Sequence, residues 1–314
     1  MIRVTRYSSG NIVEWNGFNY SAKNSLFMFD RNYMDYHSDR VVDHSLLFYS
    51  DGKLSAILPA SESENTLVSH GGLTYGGFIV GNAMKQSLMM ECMQSLQEYM
   101  NVAKINKIIY KTIPLIYWNQ PAEEDQYALY RAGAHLKKIE ASTVINLHDP
   151  LEMAKLRNRM IKKATKNGVS VSEESADDSY KNFIELQNRV LNEHHGVNAV
   201  HTAEELILLH SRFPENIRLV AARVNGKMIA GTLLFEYRNV IHTQYLAAND
   251  EARKIGALDL VISGVIEKYR LSKMWLDFGI STENDGLILN EGLISQKEGF
   301  GGRTIVYKTW EINS

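Results

Sequence analysis

Side chains suited to proton transfer occur in two apolar runs in the second half of the chain. His242 lies in the run VIHTQYLAA, and Asp277 ends a shorter apolar run two residues before Gly279. If the first run is a strand, His242 and Gln244 face one side of it. Thr243 and Tyr245 then face the other. Imidazole and carboxylate groups at strand ends suit general acid–base catalysis, unless the histidine faces solvent and the carboxylate caps the next loop.

A segment that could bind phosphate lies between these two runs. It combines two basic residues with the start of a helix, and its members are Arg253, Lys254, Gly256 and Ala257. A helix N-terminus presents unpaired backbone N–H groups and a partial positive charge, and glycine lets an anion come close. The pattern predicts an anion site, or else a plain helix start with two solvated basic residues.

Two histidine-containing segments could bind a second substrate. In the first half, His70 and Tyr75 lie among two glycine pairs, so that the backbone could approach a ligand and the tyrosine could stack on a sugar. A tight structural turn explains the same glycines. In the second half, the stretch from His194 to His201 contains three histidines, whose irregular spacing and lack of cysteine or carboxylate companions argue against zinc. No metal site is predicted.

The stretch 155–166 is basic and has helical spacing. Its charged residues, which include Arg157, surround an apolar side made by Leu156, Met160 and Ile161. Such a helix could contact the phosphates of a nucleotide sugar, a tRNA or a carrier protein. The alternative is a solvated helix face.

The elements that position these residues are repeated in the two halves of the chain. A hairpin signal at Asp51-Gly52 recurs at Asn225-Gly226, because glycine accepts the positive φ of a tight turn. Each hairpin is followed by a helical stretch, a short strand introduced by lysine, a loop with a small-residue turn and a last strand. This order predicts mixed α/β layers built by duplication, with coincidence as the alternative. The boundary falls at Pro150, which gives domains 1–148 and 149–314.

Composition supports two domains of ordinary size and limits the partners. A chain of 314 residues exceeds what one hydrophobic core usually organises. The net charge of −2 provides no global positive field for nucleic acid or an anionic membrane. Cys92 is the single cysteine, which rules out a disulfide within the chain and favours a reducing compartment. With no apolar run of about 20 residues, we predict a cytoplasmic protein without an integral membrane segment.

The order of elements resembles the GNAT acyltransferase core. Two such cores in tandem resemble the FemAB-like or BioF2-like acetyltransferases, which are related to Fem-type peptidyltransferases. The resemblance covers nearly the whole chain and is carried by four segments: Arg31 to His37, Ser69 to Gly77, Ile241 to Gly256, and Asn290 to Gly301. It implies two domains, each with a mixed, mostly antiparallel sheet flanked by helices.

The resemblance also implies roles for site residues. The Gly256 loop would hold the pyrophosphate of acetyl-CoA or another acyl-CoA, although Leu258 occupies its last position, where the family has glycine or alanine. Gln244 would lie along the carrier arm. Asn290, which lies in a long polar loop, is a further candidate for cofactor binding. Lys297 would lie close to the transferred acyl carbonyl.

The resulting functional prediction is an N- or O-acyltransferase. Its acceptor would be a cell-envelope precursor or an amino sugar, and the C-terminal domain would catalyse the transfer. The N-terminal domain would be a degenerate copy that shapes the acceptor pocket, because its helix start at Gly81 offers fewer donors. One alternative is an aminoacyl-tRNA-dependent peptidyltransferase, and an acyl carrier protein is a further possible donor. The other is a non-catalytic, two-lobed binding protein.

Overall fold

The computed structural model describes every residue except the side chains of His194 and His195. The chain divides into two compact units, each of which takes segments from distant parts of the sequence. Unit 1 consists of Met1–Glu140, Asn284–Leu287 and Val306–Ser314, and unit 2 of Ala141–Glu283 and Ile288–Ile305. The roles expected for residues 1–148 and 149–314 stay predictions.

Unit 1 contains four helices and the first strands of the chain. The helices are α1 (Ile12–Ser21), α2 (Arg31–Met34), α3 (Gln86–Ala103) and α4 (Glu124–Arg131). The strands are β1 (Ile2–Arg6), β2 (Val42–Asp43), β3 (Leu46–Ser50), β4 (Lys53–Leu58), β5 (Ser61–Ser63), β6 (Thr66–Val68), β7 (Ile79–Val80) and β8 (Lys107–Lys111), followed by β9 (His135–Asn146). One sheet has the order β1-β3-β4-β7, and a second pairs β6 in parallel with β8.

Unit 2 contains six helices and one large sheet. The helices are α5 (Lys155–Lys166), α6 (Asp177–His195), α7 (Ala203–Arg212), α8 (Asp250–Ile255), α9 (Ala257–Tyr269) and α10 (Glu291–Glu298). The strands are β10 (Ser170–Glu174), β11 (Ile217–Val224), β12 (Lys227–Glu236), β13 (Val240–Ala248), β14 (Trp275–Ile280), β15 (Thr282–Glu283), β16 (Ile288–Leu289) and β17 (Arg303–Asn313). The sheet runs β10-β11-β12-β13-β14-β9, and α9 packs on its apolar face.

The repeated hairpins have the same turn geometry. Asp51 and Gly52 have φ angles of 49° and 78°, and Asn225 and Gly226 have φ angles of 50° and 78°. Two successive positive φ values define the type I′ turn, whose twist matches that of the flanking strands. The predicted mixed α/β layers with mostly antiparallel sheets are confirmed.

The last strand of each repeat is divided between the units. The second half of β9 belongs to unit 2, where it pairs with β14, and the second half of β17 belongs to unit 1, where it pairs with β8. Ile145 on β9 is 1% exposed within the core of unit 2. Unit 2 therefore needs a strand that precedes residue 148.

The prediction of a loop before the last strand is wrong in unit 2. Residues 282–298 form the hairpin β15–β16 and the helix α10. The Asn290 side chain caps α10 by accepting a hydrogen bond from the Leu293 amide at 3.0 Å. A helix of eight mostly polar residues has little apolar periodicity to reveal it in the sequence.

None of the helices in the described part of the chain is long and apolar enough to cross a membrane.

Candidate active site

Two parallel strands separate at the candidate site in unit 2. β13 and β14 pair from Val240 with Trp275 to His242 with Asp277, where the pairing ends. The register of β13 against β12 shifts next to this point and skips Gln244, and the register of β14 against β9 shifts between Asp277 and Ile280. Bulges of this kind bend a strand and redirect its side chains, and from the end of the pairing we infer a cleft between the two strands.

His242 and Asp277 are in contact where the strands part. Nδ1 of His242 lies 3.2 Å from Oδ2 of Asp277, and these residues are 6% and 0% exposed. The other carboxylate oxygen, Oδ1, accepts hydrogen bonds from the Ser142 hydroxyl at 2.7 Å and the Gly279 amide at 2.9 Å. With Nδ1 facing the carboxylate, Nε2 is the ring nitrogen that can take a proton from a substrate.

Lys297 approaches the same bulge from the last turn of α10. Its side chain is 4% exposed, and Nζ donates to the carbonyl oxygens of Gly279 at 2.9 Å and Ile280 at 2.6 Å. Burial lowers the pKa of Lys297 to about 8, against the opposing influence of the Asp277 carboxylate. The three residues predicted to be catalytic are therefore brought to one place.

Tyr245 also faces this site, contrary to the alternation predicted from the sequence. His242 pairs with Phe235 and Tyr245 pairs with Leu233, and those two partners are two residues apart on β12. Paired residues share a face, so His242 and Tyr245 lie on the same side of the sheet. The Tyr245 hydroxyl is 2.5 Å from Nδ1 of His201, which is buried. Burial raises the pKa of Tyr245 to about 12.

The cleft is bordered by polar oxygens that could bind a ligand. Among the described residues, the buried side-chain oxygens beside these register shifts that have no hydrogen-bond partner include Oε1 of Gln244 and Oγ of Ser281. Buried polar atoms are almost always paired with protein, water or ligand. The predicted role of Gln244 beside a carrier arm stays a prediction.

The predicted phosphate loop is covered by α5. Gly256 has a φ of 83°, and a Cβ at this position would lie 2.5 Å from the carbonyl oxygen of Met160. The carbonyl of Lys254 accepts a hydrogen bond from Lys163 at 2.8 Å, and Ala257 is fully buried. Of the four residues predicted to bind phosphate, Arg253 and Lys254 are exposed and Gly256 and Ala257 are buried. Gly256 thus allows close packing of α5, and phosphate binding by these residues stays a prediction.

Arg157 of α5 also contacts the first turn of α9, close to Gly256. It forms a 2.7 Å ion pair with Asp259 in the first turn of α9, and its guanidinium lies 5.5 Å from the centre of the Phe300 ring. Burial raises the pKa of Asp259, and Arg157 opposes that shift. A carboxylate in the first turn already offsets the positive end of the helix dipole. The predicted substrate contact of Arg157 stays untested.

The acceptor-binding residues predicted in unit 1 lie in its interior. His70 and Tyr75 are each 1% exposed. Burial lowers the pKa of His70 to about 3, and its carbonyl accepts a hydrogen bond from Lys111 at 2.6 Å. The Tyr75 hydroxyl lies 2.8 Å from those of Tyr117 and Tyr307. A ligand would have to displace these contacts, so both roles stay predictions.

Of the second predicted acceptor segment, the structure describes His201 but not the side chains of His194 and His195. His201 contacts Tyr245 and so belongs to the site in unit 2.

Within the described residues, no group of three histidine, cysteine or acidic side chains could hold a metal ion. The contact of Ser142 with Asp277 could not be predicted from the sequence, because the two residues are 135 positions apart.

Comparisons with known proteins identify similar sequences and folds. Residues 153–285 match the family of acetyltransferase (GNAT) domains. No curated protein sequence matches the chain. Among solved structures, FemX is 11% identical, with a TM-score of 0.68 over 99% of this chain and 97% of its own.

Two further structures share the fold. The tandem GNAT protein from the clavulanic acid biosynthesis pathway is 11% identical, with a TM-score of 0.56 over 100% of this chain and 98% of its own. L-PGS from Bacillus licheniformis is 12% identical, with a TM-score of 0.61 over 86% of this chain and 84% of its own. Residues 153–285 therefore match the acetyltransferase (GNAT) domain family, and the chain shares its fold with FemX.

Proposed function

We propose that unit 2 transfers an acyl group from a thioester or ester carrier to an amine or hydroxyl in the cleft between β13 and β14. The observation that carries this proposal is the His242–Asp277 pair at the point where the two parallel strands separate. A buried carboxylate on Nδ1 orients the imidazole and stabilises its protonated form. The pair is thus suited to act as a general base on an acceptor in the cleft.

In the proposed reaction the acceptor attacks the acyl carbonyl carbon directly. Nε2 of His242 removes the proton from the attacking nitrogen or oxygen as the new bond forms. The carbonyl π electrons move to oxygen, and then return as the bond to the carrier breaks and the carrier atom leaves with its electron pair. The enzyme forms no covalent intermediate, so the burial of Cys92, which raises the pKa of its thiol to about 12, does not oppose the proposal.

Acyl-CoA is the first donor to test. The unpaired oxygens near β13, in particular Oε1 of Gln244, could accept hydrogen bonds from the amides of a pantetheine arm. The phosphates would then meet Arg253 and Lys254 on the surface rather than Gly256. Asn290 is engaged as a helix cap, and its contact with a donor remains part of the proposal.

An ester donor, such as an aminoacyl-tRNA or another polyanionic carrier, is the second candidate. It is favoured by α5, which covers the Gly256 junction. The basic residues of α5 that are exposed are Lys155, Arg159, Lys162, Lys163 and Lys166. A polyanion would bind such a face through its phosphates, with a strong dependence on salt. The similarity to FemX shows a shared fold and does not by itself identify the donor.

Unit 1 is proposed to shape the acceptor pocket without its own chemistry. Its strands β6 and β8 pair in parallel over three residues, as β13 and β14 do. At the positions of His242 and Asp277 in that register, unit 1 has Val68 and Ile109. Two apolar side chains cannot transfer protons, which supports a degenerate first copy. We further propose a cell-envelope precursor or an amino sugar as acceptor, in the cytoplasm.

The proposal is tested by incubating the purified chain with acetyl-CoA and a panel of amino sugars and amines, and by measuring free thiol. We expect thiol release that depends on the acceptor and falls by about 10²- to 10⁴-fold in His242→Gln, the range for loss of a general base. His210→Gln, on α7 outside the site, is the matched control. Acceptor-dependent release that is equal in the wild type and His242→Gln would contradict the proposal.

A further inference from the structure

We propose that Lys297 is a positioning residue that clamps the β14 bulge and thereby holds Asp277 against His242, rather than a group that touches the transferred acyl carbonyl. This inference rests on the proposed function of the same site. It departs from the role that the resemblance to Fem-type enzymes implies for Lys297. The geometry of three consecutive contacts carries it.

The contacts link the ammonium to the imidazole through the backbone. Nζ of Lys297 donates to the carbonyls of Gly279 and Ile280. The amide of Gly279 donates to Oδ1 of Asp277, whose Oδ2 faces His242. The backbone of one residue, Gly279, is thus held by Lys297 on its carbonyl side and holds Asp277 on its amide side.

The bulge needs such a clamp because its backbone is irregular. Gly279 has a φ of 73°, and the register of β14 against β9 is broken between Asp277 and Ile280. The two carbonyls therefore lie where regular sheet pairing is interrupted, and Lys297 supplies the donor for both. A Cβ at Gly279 would lie 3.4 Å from Cε1 of His242, so movement of this backbone would also disturb the ring.

A lysine suits this task because one nitrogen can serve both carbonyls. The ammonium has three N–H donors, and two of them are used here. A neutral amine would still have two. The clamp therefore does not require the positive charge, whereas direct stabilisation of an oxyanion would use that charge.

Ser142 provides an independent contact to the same carboxylate. Its hydroxyl donates to Oδ1 of Asp277 at 2.7 Å, and both residues are fully buried. If Lys297 works through Asp277, removal of the Ser142 hydroxyl should produce the same kinetic signature as removal of the Lys297 amine. A lysine acting directly on the acyl carbonyl predicts different signatures.

The decisive experiment is a double-mutant cycle with Lys297→Met and His242→Gln in the full chain, with acyl transfer measured at saturating donor. We expect Lys297→Met to lower kcat by about 10- to 100-fold in the wild-type background and by less than about twofold in His242→Gln, because residues that act as one unit are not additive. The KM for the donor should stay within about twofold. Equal losses in both backgrounds would overturn the clamp.

Three further variants keep the test interpretable. Ser142→Ala should repeat the pattern, and Ser142→Thr, which keeps the hydroxyl, should restore part of the activity. Lys273→Met is the matched control. Lys273 is a largely buried lysine just before β14, whose Nζ donates to the Tyr237 carbonyl at 2.6 Å and pairs with Glu236. It should leave kcat unchanged in both backgrounds. If Ser142→Ala and Lys297→Met proved additive, the shared route through Asp277 would be wrong.

A spectroscopic arm separates this inference from the proposed function. The ¹⁵N shifts of the His242 ring report which nitrogen carries the proton, without any substrate. We expect a single Nδ1-protonated tautomer in the wild type and a mixture in Lys297→Met, with unchanged spectra in Lys273→Met. If the wild type transfers no acyl group, the proposed function fails while this measurement still tests the clamp. An unchanged His242 tautomer in Lys297→Met would overturn it.

Discussion

Tyr245 lies on the same face of β13 as His242, although three positions separate them in the sequence. The register shift that skips Gln244 produces this arrangement. Two histidine pairs, His242 with Asp277 and His201 with Tyr245, therefore border the cleft from one side of the sheet. The site therefore contains a second pair of side chains that could transfer protons, in addition to the single base expected from the sequence.

Replacement of Tyr245 by Phe tests whether the second pair contributes to turnover. The change removes the hydroxyl beside His201 and leaves the ring in place. We expect kcat for acyl transfer to fall by about tenfold or more, within the range that proton-transferring side chains contribute. Tyr269→Phe, which removes a hydroxyl bonded to Glu236 outside the site, is the control. Equal activity in the two variants would exclude Tyr245 from the reaction.

Replacement of Asp277 by Asn tests the orientation of the base. An amide in place of the carboxylate cannot stabilise a protonated His242, and it can present a donor to Nδ1 and reverse the tautomer. We expect a loss of acyl transfer comparable to that of His242→Gln, with the melting temperature measured alongside. An Asn variant with wild-type kcat would mean that His242 acts without Asp277.

The local turns and strands could be predicted from the sequence, whereas contacts between distant segments could not. Asp51-Gly52 and Asn225-Gly226 were recognisable because the turn conformation is a property of those two residues. The contact of Ser142 with Asp277 depends on β9 pairing with β14, which is set by the packing of the whole unit. No local pattern predicts such a pairing.

The site residues follow the same division. His242, Asp277 and Lys297 were predicted from strand ends and a family resemblance, and the structure brings them together. Tyr245 was assigned to the wrong face because a bulge in β13 depends on the register with β12. At Gly256 the sequence suggested an anion, but a positive φ and close packing against Met160 also select glycine.

Gly256 and Gly226 form a matched pair for testing that packing. Both have a positive φ, so alanine at either position costs about 1 kcal/mol of stability or somewhat more from backbone strain. A Cβ at Gly226 meets nothing within 4 Å, whereas at Gly256 it meets the Met160 carbonyl. We expect Gly256→Ala to lower the free energy of unfolding in urea by about 2 kcal/mol more than Gly226→Ala, as overpacking does. Equal losses would mean that α5 yields easily and that the junction can open to a ligand.

The two isoleucines of β9 test how this strand is divided between the units. Ile145 is 1% exposed in the core of unit 2, and Ile139 is 45% exposed in the half that belongs to unit 1. We expect Ile145→Ala to reduce the free energy of unfolding by about 3 kcal/mol and Ile139→Ala by less than about 1 kcal/mol. Urea denaturation of the full chain measures both. Similar small losses would show that β9 contributes little to the core of unit 2.

Lys297 should give the stability of the chain a particular dependence on pH. Its pKa is about 8 in the folded state and about 10.5 when exposed. Below pH 8 the amine is protonated in both states and adds no slope. Between these values the unfolded state holds the extra proton, so stability rises with pH, by at most about 3 kcal/mol at 1.36 kcal/mol per pKa unit. Urea unfolding at pH 7, 8.5 and 10 should therefore show the wild type gaining stability relative to Lys297→Met as pH rises. A constant difference between the two proteins would mean that Lys297 keeps an ordinary pKa and is not buried as a charge.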